Sequence, residues 1–159
     1  MGAGLAGARP GRIGGTVNGM NAAMWVPGRA RTKGSLEPTH IRMGAGRCKV
    51  SLTESGQYSK LWKDTMIVAI RQQAVCERYA GPVAVRIDVV FDRLAGDEGA
   101  RFPVKREYGD IDKLARNVLD ALTQSALILD DALVVTMVAG KRFVESGGQA
   151  GVHIEVKAL

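Results

Sequence analysis

Two aspartate pairs bracket one short amphipathic segment, and few folds accommodate that arrangement. At about 100° per residue, Leu114, Ala115, Val118, Leu119, Ala121 and Leu122 fall on one arc of Ile111 to Thr123, while Asp112, Arg116, Asp120 and Thr123 fall on the other. The pattern predicts a helix over 111–123 that anchors its apolar arc in a core and turns the other arc towards whatever occupies the site. Asp110 and Asp112 stand at its start, and Asp130 and Asp131 follow its end. Taken singly, each has an ordinary explanation: Asp110 or Asp112 caps the helix, and Asp130 opens a turn. Taken together, they suggest a site in which Asp131 returns along the helix to meet Asp110 and Asp112. Clustered carboxylates repel one another and call for a compensating cation. Oxygen-only donors favour a hard ion, magnesium or manganese. Caps and turns remain an open alternative on residue chemistry alone.

The charge balance points to what such an ion would meet. The chain of 159 residues has 22 Lys and Arg against 16 Asp and Glu, a net charge of +6. Met1 to Lys63 holds ten basic and two acidic residues, whereas Asp64 to Leu159 holds twelve basic and fourteen acidic ones. A basic half joined to a half with clustered carboxylates suits a polyanion that is gripped in one place and processed in another. Cys48 and Cys76 are isolated, which argues against a disulfide framework or zinc ribbon and fits a reducing compartment. No apolar run approaches the roughly 18–20 residues needed to span a bilayer, and the N-terminus lacks the apolar stretch of a signal peptide. These features predict a soluble, intracellular, cytoplasmic protein.

Hydrophobic patterning predicts a Gly/Ala-rich disordered arm over 1–23 and one domain over 24–159. The arm contains Gly2-Ala3-Gly4-Leu5-Ala6-Gly7, a formal dinucleotide fingerprint with no strand before it, and hence an accidental match. Met24-Trp25-Val26 reads as a first strand, followed by a basic loop, Pro27 to Gly34, whose Arg29, Arg31 and Lys33 suit phosphate. Ser55 to Tyr79 reads as a helix with Tyr58, Trp62, Met66, Ala69, Ile70 and Gln73 as its core stripe. Val83 to Phe91 alternates as a strand, and Asp92 to Gly109 reads as a mobile polar loop. After the second helix, Leu133 to Phe143 and Val152 to Val156 read as two strands paired in an antiparallel hairpin. The expected architecture is α+β, a small mixed sheet with two main helices in the order β-α-β-α-β-β. His40 and His153 match no zinc or HNH pattern, and neither a GxSxG elbow nor a P-loop occurs.

The segments Asp110-Ile111-Asp112-Lys113-Leu114, Leu119-Asp120-Ala121-Leu122-Thr123 and Leu129-Asp130-Asp131, with Val134-Val135 and Lys141, resemble the RusA family of Holliday junction resolvases, common in phages and prophages. The similarity covers about Ser51 to Val156, including Ser55-Gly56-Gln57-Tyr58, and the basic loop also looks like that of phage members. The resemblance implies a RusA-like fold and a magnesium-dependent homodimeric endonuclease that cuts two opposed strands of a four-way DNA junction. It places the catalytic, metal-holding aspartates on Asp110, Asp112 and Asp131, with Asp130 adjacent. Arg116 stands where the family carries a lysine, and Lys113 where it often carries Asn. A guanidinium holds phosphate but does not readily donate a proton. DNA contacts are then expected from Arg29, Arg31, Lys33, Lys113, Arg116 and Lys141. The competing readings are a non-catalytic DNA-binding protein and a magnesium nuclease for other branched DNA.

Overall fold

The computed structural model describes residues 21–32, 36–43, 47–54, 57–74 and 76–159. The arm up to residue 20, Lys33, and the Ser55-Gly56 pair lie outside them. Strand β1 runs Asn21–Pro27, so three residues assigned to the arm belong to the sheet: Ala22, Met24 and Val26 alternate inward along it. A hairpin, β2 (Leu36–Met43) and β3 (Arg47–Glu54), follows in a stretch where hydrophobic patterning predicts no element. Helix α1 (Gln57–Gln73) leads to β4 (Val83–Phe91), helix α2 (Ile111–Gln124), β5 (Val134–Phe143) and β6 (Gly151–Ala158). The α+β class with a mixed sheet and two helices is as expected.

The main sheet has the order β1-β6-β4-β5. β4 pairs parallel to β5 and antiparallel to β6, so β4 separates the two strands expected to form a hairpin. The connection from Val144 to Ala150 is too long for a tight two-residue turn and carries the chain across the end of β4 instead. Both helices cover one face of the sheet. Trp62, Met66 and Ile70 of α1 and Leu114, Val118, Ala121 and Leu122 of α2 are buried with Met24, Val85, Ile87, Val89, Ile154 and Val156 in one cluster. Tyr58, placed in the core stripe by spacing, is instead 69% exposed at the start of α1, under the Arg31 guanidinium. Gln73 closes the other end of α1: its Oε1 accepts from Trp25 N at 2.9 Å and its Nε2 donates to Trp25 O at 2.7 Å. α1 ends there, six residues before Tyr79, which bridges to Ile128. Arg71 donates to the carbonyl of Gln124 at 3.0 Å, satisfying an orphan acceptor at the end of α2.

The segment Asp92 to Gly109, expected to be mobile, is fastened from within. Asp97 is 2% exposed. Its carboxylate accepts from the Tyr108 hydroxyl, from Leu94 N at 3.0 Å and, as an ion pair, from Lys105 Nζ at 2.7 Å. Tyr108 is packed edge-on against Phe91 and Phe143, with ring centroids 5.0 and 5.5 Å away. A buried carboxylate persists here because three donors, one of them charged, replace the water it lost. These same donors, Lys105 first and Tyr108 next, pull the Asp97 carboxyl down from 3.8 to about 2. A carboxyl whose pKa is lower in the folded state stabilises the fold fully above its unfolded value and loses that contribution as pH falls towards its folded value. Wild-type protein should therefore lose thermal stability between pH 4 and pH 2 more steeply than Asp97→Asn, which should melt lower at pH 7. Parallel melting curves across that range for both proteins would contradict this account.

Candidate active site

The site begins with the chain reversal that starts α2. Tyr108 is held in the core, and Gly109 follows at φ 75°, a left-handed conformation that favours glycine. A Cβ at Gly109 would collide with the Thr32 methyl, so the basic loop lies directly on this turn. On its other side Lys141 Nζ donates to Gly109 O at 2.8 Å. Deeper in α2, buried Asn117 donates from Nδ2 to Arg31 O at 3.0 Å and fixes the same loop. Gly28, at φ 126°, lies so close to the ring of Trp62 that a Cβ there would overlap it. The described part of the basic loop is thus folded against the N-terminal half of α2.

Asp110 is the residue before the helix, with extended backbone (φ −77°, ψ 138°), yet its side chain makes no capping hydrogen bond. Its carboxylate faces solvent and pairs with Lys113 Nζ at 3.0 Å. Asp112, in the first turn of α2 and on its exposed arc, lies 4.0 Å from Arg116. Capping therefore does not explain Asp110. Exposed pairs of this kind contribute about 0–1 kcal/mol each, so a ligand can take these carboxylates over at small cost. Asp130 does what the simpler reading assigns it: it accepts from Ala132 N at 2.8 Å and shapes the turn.

Asp131 opens the 3-10 turn Asp131–Leu133 that leads into β5. It is tied down on both sides at the far end of α2: Leu129 N donates to Tyr79 O at 3.1 Å, and Val134 pairs with Val83. Leu127 N, just before, donates to Leu122 O in the last turn of the helix. The 14 residues of α2 span about 20 Å at a rise of about 1.5 Å each. Lys141, which marks the Gly109 end, is seven strand residues from Val134, about 23 Å along β5. β5 does return along the helix, as the sequence suggested, but Asp131 sits where that return begins. Within one chain it does not join Asp110 and Asp112. Among the described residues no three His, Cys, Asp or Glu side chains form a group able to hold a metal ion. The oxygen donors of Asp110 and Asp112 suit a hard cation chemically, but two carboxylates leave its coordination incomplete.

Cations lie on the helix that carries the acidic pair and on the loop folded against its start. Lys113 and Arg116 share its helix, Arg29 is exposed on the folded loop, Arg31 is half-buried there, and Lys141 supports the turn beneath. Lys141 spends one of its three donors on Gly109 O. Two contributors were missed in the sequence. Asn117 is one: a lone amide on the apolar arc between Leu114 and Val118 must have a buried partner, and that was a readable signal. Thr32 is the other, and nothing in the sequence singles it out.

A search among curated proteins returns no match to the chain. Residues 40–157 match the family model described as endodeoxyribonuclease RusA. That span covers well over half of the sequence and takes in both helices, the acidic pair at the start of α2 and strands β4 to β6, so the chain belongs to the RusA family of Holliday junction endodeoxyribonucleases.

Proposed function

We propose that the protein is a magnesium-dependent homodimeric nuclease that resolves four-way DNA junctions by paired nicks, acting in the cytoplasm of its host. The observation that carries this reading is the pair of solvent-facing carboxylates, Asp110 and Asp112, on a turn against which a basic loop is folded. A phosphodiester brought to that turn is met by Arg116 and Arg29, whose permanently charged guanidiniums can take its non-bridging oxygens in pairs. A divalent ion bound by the carboxylates would neutralise the phosphate and lower the pKa of an attacking water. Arg116 orients phosphate and does not serve as an acid. A proton for the leaving oxygen then comes from Lys113 Nζ or from solvent.

Asp131 supplies the third carboxylate from the other subunit. Its place at the opposite end of α2 from Asp110 favours this: in a two-fold dimer each subunit can present its Asp131 to the other's acidic pair. Asp130 remains adjacent, engaged with the turn. A dimer also matches the substrate, since a junction has two equivalent strands to cut.

Incubation with a synthetic four-way junction and a linear duplex, each with and without magnesium, tests the activity. The junction should be cut in paired fashion only with the ion, and Asp112→Asn should lower the rate by a hundredfold or more while junction binding persists. Cutting in excess chelator would remove the metal from the mechanism, and a preference for flaps would move the substrate to other branched DNA. Mixing Asp112→Asn with Asp131→Asn separates the two possible site compositions. If Asp131 acts across the dimer, a mixed dimer holds one intact site, so both nicking and manganese binding should reappear. If it acts within its own chain, verified mixed dimers stay inactive. Neutralising Arg29 and Arg31 together should weaken junction binding and reduce its salt dependence by about two units of slope at most. An unchanged slope would take the loop off the contact surface.

A further inference from the structure

We infer that Tyr58 and Phe102 are base-stacking sites: each ring takes the face of an unstacked nucleobase where the DNA branches. The substrate is then gripped by its bases as well as by its phosphates, an inference that rests on the function proposed above and deepens it. Among the described residues the other aromatic rings are covered: Trp62, Tyr79, Phe91, Tyr108 and Phe143 are buried, and Trp25 is half-buried. Tyr58 and Phe102 are instead 69 and 51% exposed. Single exposed rings are ordinary on a protein surface, but these two share a second feature. Arg31 Cζ lies 5.4 Å from the centre of the Tyr58 ring, and Arg101 Cζ lies 5.1 Å from that of Phe102. A guanidinium at that range steadies a ring and still has N–H groups to offer a phosphate. The chain around each pair is basic. No acidic residue interrupts Gly28 to Thr32, which holds Arg29 and Arg31, or Arg101 to Arg106, which holds Lys105 besides its two arginines.

Both pairs stand at the end of the sheet where the acidic pair begins. β1 closes on Pro27, which faces Gly151 of β6, and Gly151 in turn faces Val90, one residue before the end of β4. The loop after β1, which carries Arg31, and the segment after β4, which carries Arg101 and Phe102, therefore leave the sheet at the same end. That segment runs on to Gly109 and Asp110, and Thr32 of the loop lies against Gly109. Tyr58 opens α1 at this end as well, beneath an Arg31 whose carbonyl accepts from Asn117 Nδ2. Stacking on a side chain suits a branch better than a plain duplex. Bases paired within a duplex have no free face, whereas stacking is interrupted where four arms meet. Each base taken up by a ring contributes about five- to a hundredfold in affinity whatever its identity, because every base has a π face.

Binding of the full chain to a four-way junction, a linear duplex and a single strand would be measured in excess chelator across a range of salt. The Tyr58→Leu/Phe102→Leu variant should bind the junction and the single strand about fivefold more weakly than wild type, or worse. It should bind the duplex equally well and keep the salt slope, since no phosphate contact is lost. Tyr58→Phe/Phe102→Tyr should bind all three as wild type does. With wild-type protein alone, a 2-aminopurine at the branch point should change its emission on binding, and one in the middle of an arm should not. That comparison decides if the leucine variant does not fold. The inference is overturned by unchanged junction and single-strand affinity in the leucine variant, by an equal loss on duplex, by a loss in the aromatic exchange, or by a silent branch-point probe. It is also overturned if the leucine variant sediments differently from wild type without DNA, which would assign the rings to a protein contact. A chain that grips single strands through both rings yet cuts no junction with magnesium would refute the nuclease reading alone. One that cuts junctions and is indifferent to both substitutions would refute this inference alone.

Discussion

The turn at Gly109 is the constraint on which the candidate site depends. It is held from three directions: Tyr108 is locked into the core by Phe91, Phe143 and Asp97, Thr32 lies against the glycine, and Lys141 grips its carbonyl. Each contact belongs to a different part of the chain, so the first residue of α2 is fixed relative to the basic loop and to the end of β5 together. A glycine is required twice over, by the positive φ and by the lack of space for a Cβ. Asp110 needs no cap of its own because the turn before it, rather than a side-chain hydrogen bond, sets where the helix begins. That leaves its carboxylate free of structural duty.

This division of labour shows in the electrostatics. Asp97 and Asp110 lie 13 positions apart in the sequence, and both contact a lysine. Asp97 is buried with every donor direct and short, and its affinity for a proton falls accordingly. Asp110 and Asp112 are solvated, and their partners Lys113 and Arg116 sit one turn along the same helix. The first arrangement is hard to disturb because breaking it would strand a charge in the core. The second costs little to rearrange, since water screens both partners. An acid that must exchange a lysine for a ligand belongs in the second setting, and an acid that must hold a loop belongs in the first.

Much of this was legible in the chain. The 3.6-residue period of Ile111 to Thr123 and the alternation of Val83 to Phe91 located α2 and β4 almost to the residue, because each has one buried and one wetter face. The β2–β3 hairpin was less visible: Cys48, Val50 and Leu52 alternate with Lys49, Ser51 and Thr53, but Pro38 in the partner stretch argues against a central strand and masks the pair. Strand order was not legible at all. Nothing local distinguishes a β5 that pairs with β6 from one that pairs with β4, since both choices bury the same alternating residues. The Asp92 to Gly109 segment misled for a related reason: its charges read as solvent-facing, whereas Asp97 turns inward to bind Lys105 and Tyr108, eight and eleven residues further on, across a segment whose one regular element is a three-residue 3-10 turn.

The strand order in turn decides what the aspartates can do. Had β5 and β6 formed the expected hairpin, β6 would lie where β4 now does, and β5 would not present the same outer edge. With β4 between them, β5 becomes the last strand, and the connection before it must deliver Asp131 to the end of α2 that Asp110 does not occupy. A parallel β4–β5 pair needs a crossover, and α2 is that crossover. Its length therefore sets the separation of the two acidic groups, and no side-chain rotation can close about 20 Å. Shortening the helix would bring the carboxylates nearer but would strip the sheet of the cover that Leu114, Val118 and Leu122 provide. Under the proposed function, a second chain meets both requirements, because it supplies the missing group without altering the packing that placed the first two.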